Sequence, residues 1–197
     1  MVVDPFPSNS APLLPPNTTP SRDAYQHLCK LAVLLGRILS LKRSTPSPAA
    51  CDELDIALTS FLFDTPKPYR SMMGVSPEEL PTVLLLGCVI HACTVFLHGS
   101  GRDDGVKRSV RAVDNMVTLL RNVSGAVDPD DDRVLGNPLL GPTLLQGARI
   151  WRVYGPKEGG GKMGILRSAF GRMEEGWPKL AGLMKVIVED DLRRPGE

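Results

Sequence analysis

From Leu80 to Leu97 the chain carries no full charge, and only Thr82, His91 and Thr94 are polar. A helix apolar on nearly all sides must be enclosed by other helices or by lipid, so this run constrains everything around it. Its start has the signals of a helix. Ser76 is a good N-cap, Pro77 fits the first helical position, and Glu79 stands three residues on to close a capping box. The length is marginal for a membrane span, which takes about 20 apolar residues. Pro81 and His91 weigh against lipid, as do flanks of mixed sign: Glu78 and Glu79 before, Arg102, Asp103 and Asp104 after. The expectation is a buried core helix over about residues 76–98.

The chain before it is punctuated by proline. Residues 1–20, MVVDPFPSNSAPLLPPNTTP, lose backbone donors to repeated Pro and read as a disordered arm or linker. A first helix is expected from Thr19 or Ser21 to about Leu41. Leu28, Leu31, Ala32, Leu34, Leu35, Ile38 and Leu39 recur at helical spacing, with Arg22, Lys30 and Arg37 opposite. Ser47 and Pro48 start a second helix, whose apolar face is Leu54, Ile56, Ala57, Leu58, Phe61 and Leu62. Thr65-Pro66-Lys67-Pro68 ends it, and a loop through Met72 and Met73 leads to the core run.

After the core run, Gly99 to Gly105 is expected as a turn in which Asp104 caps the next helix. That helix places Val106, Val110, Val113, Met116, Val117 and Leu120 on one stripe and Lys107, Arg108 and Arg111 outside. Gly125 to Gly136 reads as an acidic loop, and Asn137-Pro138 as the cap of a helix through Leu144, Leu145, Ala148, Ile150 and Trp151. ARIWRVY is the one stretch with a strand-like alternation. The glycine-rich GPKEGGGK breaks the chain again. A last helical segment, Met163 to about Arg193, is interrupted at Gly176-Trp177-Pro178, where Pro178 opens a new helix. The fold class is all-α, a multi-helix bundle around the buried apolar helix. Residues 21–197 form one helical domain.

Composition excludes little more. A formal net charge of +1 gives no whole-chain reason to expect nucleic acid or an acidic membrane as partner. Cys29, Cys51, Cys88 and Cys93 fall in expected helices without paired C-x-x-C spacing, and Met1-Val-Val-Asp-Pro lacks a secretory pattern. Free thiols inside a reducing compartment are the expectation.

Candidate chemistry is thin. Gly155 to Lys162 imitates a phosphate loop, but Lys162 is followed by Met163 and the first required glycine is Pro156. Asp128, Asp130 and Asp132 imitate a calcium loop, but its sixth position is Arg133 and its twelfth Leu139. His27, His91 and His98 lack metal-ligand spacing, and His91 reads as a satisfied core histidine. No nucleophile motif occurs. Lys107, Arg108 and Arg111 on one helical face, beside Asp103 and Asp104, read as solvated surface. The residues therefore assign no catalytic or metal site, and a cofactor site stays unknown.

Several segments resemble the regulatory (middle homology) domain of fungal binuclear zinc-cluster transcription factors. LAVLLGRILSLK (Leu31 to Lys42) is similar to the family's L-x-x-L-L-G-x-I. LDIALTSFLFDTP (Leu54 to Pro66) resembles L-D-x-x-L-x-x-W-x-x-x-L-P, with Phe61 in place of Trp and Thr65 before the proline. LLLGCVIHACTVFLHGSGR resembles the long helix ending in L-H-R-P, with Leu97-His98 in place and Gly-Ser replacing Arg-Pro. RSVRAVDNMVTLLR, NPLLGPTLLQGARIW and GWPKLAG follow the weaker downstream pattern, so the likeness covers most of Leu31 to Leu192. The family's six-cysteine DNA-binding module, with its two zinc ions, has no counterpart in this chain. The earlier part of the regulatory domain has none either.

The resemblance implies a non-catalytic, nuclear regulatory domain acting on RNA polymerase II transcription, incomplete in this chain. It implies a small-molecule effector or a protein partner, is compatible with a dimer, and assigns no cofactor, direct DNA contact or membrane to this chain. An incomplete domain is expected to expose an apolar patch on the core helix and to be poorly soluble. Two rival expectations are a single-span membrane protein anchored by residues 80–97, and a nucleotide-binding enzyme using Gly155 to Lys162.

Overall fold

In the computed structural model the described residues are 24–43, 47–99, 103–126, 137–156, 160–178 and 182. They form seven α-helices and no strand, so the expected all-α class is the one observed. The helices are α1 (Ala24–Arg43), α2 (Pro48–Asp64), α3 (Lys67–Ser71), α4 (Leu80–His98), α5 (Asp103–Ala126), α6 (Leu140–Tyr154) and α7 (Gly160–Gly176).

The apolar run is the centre of the bundle. Every residue from Val83 to Ile90 on α4 is buried, and so are Ala92, Cys93, Val95 and Leu97. Because α4 is apolar all round, one neighbour cannot cover it. It packs against α1, α2 and α3 and against α5 and α6. α1 and α2 also pack on each other, as do α5 and α6, and α7 lies on α5 and α6. Gly87 is one point of closest approach, since a Cβ there would stand 2.7 Å from Leu119 Cδ1 of α5. Gly147 does the same between α6 and α5, where a Cβ would meet Met116 Sδ at 3.3 Å.

Each neighbour presents a stripe at three- and four-residue spacing. Leu31, Leu34 and Ile38 are buried on α1; Leu54, Ala57, Leu58 and Phe61 on α2; Val113, Met116, Val117 and Leu120 on α5. α2 starts as expected: Ser47 has extended backbone and its Oγ accepts from Ala50 N at 3.2 Å. Thr65 closes that helix, its hydroxyl donating to Phe61 O at 2.8 Å.

Other details depart from the expectations. The α4 helix begins at Leu80, after a turn over Pro77–Glu79. Glu79 N does donate to Ser76 Oγ at 3.3 Å, as a cap requires. The Glu79 carboxylate, however, accepts from the Ser76 hydroxyl and, at 3.2 Å, from the Tyr69 hydroxyl. Tyr69 thus takes an oxygen that a capping box would return to the backbone. The start of α1 at Thr19 or Ser21 lies outside the described residues.

Ala32 and Leu39 on α1 are exposed, and Ile56 on α2 is 70 % exposed, because three helices can close on one face of each but not on all of it. ARIWRVY is helical within α6, where Leu144, Ala148 and Trp151 continue one buried stripe. The proline-rich segment after α2 makes the short helix α3, with Pro68 in its first turn. The break at Trp177 is present; the expected continuation to Arg193 lies almost wholly outside the described residues. So do residues 1–20 and, apart from Gly125 and Ala126, the acidic loop.

Candidate functional site

Among the described residues, a histidine and an arginine from two helices converge on one carboxylate of a third. Asp55 follows Leu54 on α2 and points to the side of that helix's buried stripe. His98 is the last residue of α4, and Arg108 lies one turn into α5. His98 Nε2 is 2.8 Å from Asp55 Oδ1. A carboxylate only accepts, so Nε2 carries the proton. Arg108 Nη1 donates to the other oxygen, Oδ2. Gly105 lets α5 start against the end of α4, because a Cβ there would be 3.0 Å from His98 O. That close approach carries Arg108, three residues on, to Asp55.

Asp55 and His98 are largely enclosed, with side chains 27 % and 17 % exposed. Partial burial disfavours the charged form of Asp55, but the His98 and Arg108 hydrogen bonds outweigh it and hold the carboxyl below the usual range. An imidazole oriented by a carboxylate is half of an acid–base arrangement. The other half is a hydroxyl or thiol on the ring, and no described residue supplies one. What the cluster does with the groups present is tie α2, α4 and α5 at one end of the core.

A second cluster joins α5, α6 and α7. Lys162 bonds Asp114 Oδ1, and its ammonium lies 4.6 Å from the centroid of the Trp151 ring. Lys162 is the lysine of the glycine-rich stretch. Here it sits in the first turn of α7 with a carboxylate as partner.

The three histidines stand apart. His27 is 4 % exposed and meets the rings of Phe61 and Tyr69 edge-on, at 5.9 and 6.1 Å. His91 keeps a strip of exposed surface, yet protein encloses it closely enough that burial pulls its pKa down to about 4. It is a neutral core histidine. Cys88 and Cys93 are buried and their thiols are pushed up to about 12, which makes them inert, whereas Cys29 is exposed. No group of three or more His, Cys, Asp or Glu among the described residues is placed to hold a metal ion. Lys107, Arg108 and Arg111 are all exposed as expected, and Arg108 in addition reaches Asp55. Asp128, Asp130, Asp132 and Arg133 lie outside the described residues.

Sequence reading missed the Asp55–His98–Arg108 cluster because its members are 43 and 53 residues apart. The one signal was a charged residue set immediately beside an apolar stripe, as Asp55 is beside Leu54. Comparison with protein-family models, with curated proteins and with solved structures finds no match to this chain.

Proposed function

We propose that this chain is a non-catalytic regulatory domain of a fungal transcription factor, acting in the nucleus through a small-molecule effector or a protein partner. The observation that carries the reading is a meeting of two segments that resemble the family. Asp55, from LDIALTSF, and His98, from the Leu97-His98 pair, are distant in sequence and hydrogen-bonded in space. Two polar residues in an otherwise apolar pattern are a natural place to couple helices in a domain that must respond to something. Zinc belongs to the family's DNA-binding module and is not required of this chain.

The test is to fuse the whole chain to a heterologous DNA-binding domain and measure a reporter in fungal cells. A several-fold change in transcription, reduced by Asp55→Ala in a variant that still folds, is the expected result. An expressed, nuclear fusion that leaves the reporter unchanged overturns the reading.

One observation favours a membrane anchor instead: α4 is long and apolar enough to cross a bilayer, with mean hydropathy 2.2 over its best window. Its packing supports the first reading, since five helices cover it. Alkaline carbonate extraction separates the two, because an anchored chain stays with the pellet.

A further inference from the structure

Among the described residues, Ser47, Thr65 and Ser76 each carry a hydroxyl and stand directly before a proline. Proline-directed protein kinases phosphorylate a hydroxyl in that position, and the proline holds the residue before it in the extended backbone they accept. The fold separates the three. Thr65 is 1 % exposed and its hydroxyl donates to Phe61 O, so no enzyme reaches it without opening α2. Ser76 is exposed, but Glu78 and Glu79 follow at once, and its hydroxyl donates to the Glu79 carboxylate at 3.3 Å. A phosphate there would break that contact and meet two carboxylates.

Ser47 differs on each count. It is exposed and its backbone is extended, with φ −80° and ψ 146°. Its oxygen accepts from Ala50 N at 3.2 Å, a bond that does not use the hydroxyl proton. The exposed Pro48 opens α2, whose first turn holds no acid. Of the nearest carboxylates on that helix, Asp52 and Glu53, the second is paired with Arg37 at 3.7 Å. On the other side of Ser47, the exposed Lys42 and Arg43 end α1. Arg43 is four residues away, so its Cα lies at most roughly 14 Å from that of Ser47, a span that a guanidinium and a phosphate can close.

We infer that Ser47 is a phosphorylation site for a proline-directed kinase, and that its phosphate ties the start of α2 to the end of α1. The kinase transfers the terminal phosphoryl group of a nucleoside triphosphate to Ser47 Oγ. The Oγ–H bond breaks with loss of the proton, the Oγ–P bond forms, and the nucleoside diphosphate leaves. The product carries close to two negative charges at neutral pH. The positive end of the α2 dipole and the N–H groups of its first turn favour that charge, as do the cations of Lys42 and Arg43. The inference does not depend on the transcriptional reading.

The full chain is treated with ATP and a purified proline-directed kinase that is active on a Ser-Pro peptide, and peptide mass spectrometry locates the phosphate. Ser47 should be modified, Thr65 not at all, and Ser76 far less than Ser47. Phosphorylation should also raise the urea midpoint of the native chain by roughly 0.3 M, through the helix N-terminus and the cations beside it. Ser47→Ala, treated in the same way, should show no rise. In Arg43→Ala, and in the native chain at high salt, the rise should shrink, because screening and loss of the cation weaken the same attraction. Helical circular dichroism shows that each variant is folded.

A folded chain in which Ser47 stays unmodified overturns the site, and so does phosphate that settles on Ser76 instead. Modification of Ser47 with an unchanged or lowered midpoint overturns the tie between the helices. A rise that neither Arg43→Ala nor salt diminishes does the same.

Discussion

Two residues give acid sensitivity in separate pH windows, and the sign is the same for both. His91 in the fold has a pKa near 4 against an ordinary 6.5, so the unfolded chain binds its proton first. Stability is full above 6.5 and falls as the pH drops towards 4, by up to about 3 kcal/mol. Asp55 is held below its ordinary 3.8, so its contribution persists above about 4 and is lost below that. Urea denaturation across pH should show His91→Leu flattening the upper window only, and Asp55→Asn the lower. If His91→Leu leaves the slope between pH 6.5 and 4 unchanged, the histidine is not neutral in the fold. Ser109 is a third case: its hydroxyl is buried on α5 with no partner among the described residues. An unmet buried hydroxyl costs free energy, so Ser109→Ala should stabilise the fold by about 0.5–1 kcal/mol, read as a higher denaturation midpoint.

At the scale of the helix, what a residue contributes depends on the face it occupies. Leu84 on α4 is fully buried, and Leu84→Ala should cost about 2–5 kcal/mol through lost transfer energy and the cavity left behind. Ile56 is equally apolar, but exposure limits Ile56→Ala to within about 0.5 kcal/mol at concentrations where the chain is monomeric. Ser47→Ala should cost about 1 kcal/mol by removing the α2 cap. The order Leu84, Ser47, Ile56 in chemical denaturation checks all three. An Ile56 effect as large as that of Leu84 would mean that α2 packs differently.

For the whole molecule, α4 is the shared partner of both flanking pairs, α1 with α2 and α5 with α6. Neither pair can leave without exposing the same apolar helix, so the described helices should melt together. Trp151 of α6 reports one side, and far-ultraviolet circular dichroism reports all of it. In a Trp177→Phe background the two thermal transitions should coincide. Separate midpoints would mean that α1 and α2 form their own unit. The apolar patch expected on the core helix is covered, since most of α4 is buried. Exposed large apolar side chains stand instead on α1 and α2, which carry no further layer among the described residues, and at Met73, Leu139, Val153, Tyr154 and Trp177.

Much of this was legible from residue order alone. The uncharged run from Leu80 to Leu97 demanded enclosure, the spacing of Leu31, Leu34 and Ile38 named a helix face, and Ser47-Pro48 marked a helix start. These are local signals, carried by residues a turn or two apart. Tertiary structure alone decided that Tyr69 would engage Glu79, that Lys162 would lie over Trp151, and that Asp55 would receive both His98 and Arg108. Those partners are remote in sequence, and no period connects them. Periodicity says which side of a helix is apolar. Leu54 and Ile56 stand about 200° apart on α2, so only one of them can lie on the packed side. Packing on α1 and α4 took the side of Leu54, Ala57, Leu58 and Phe61.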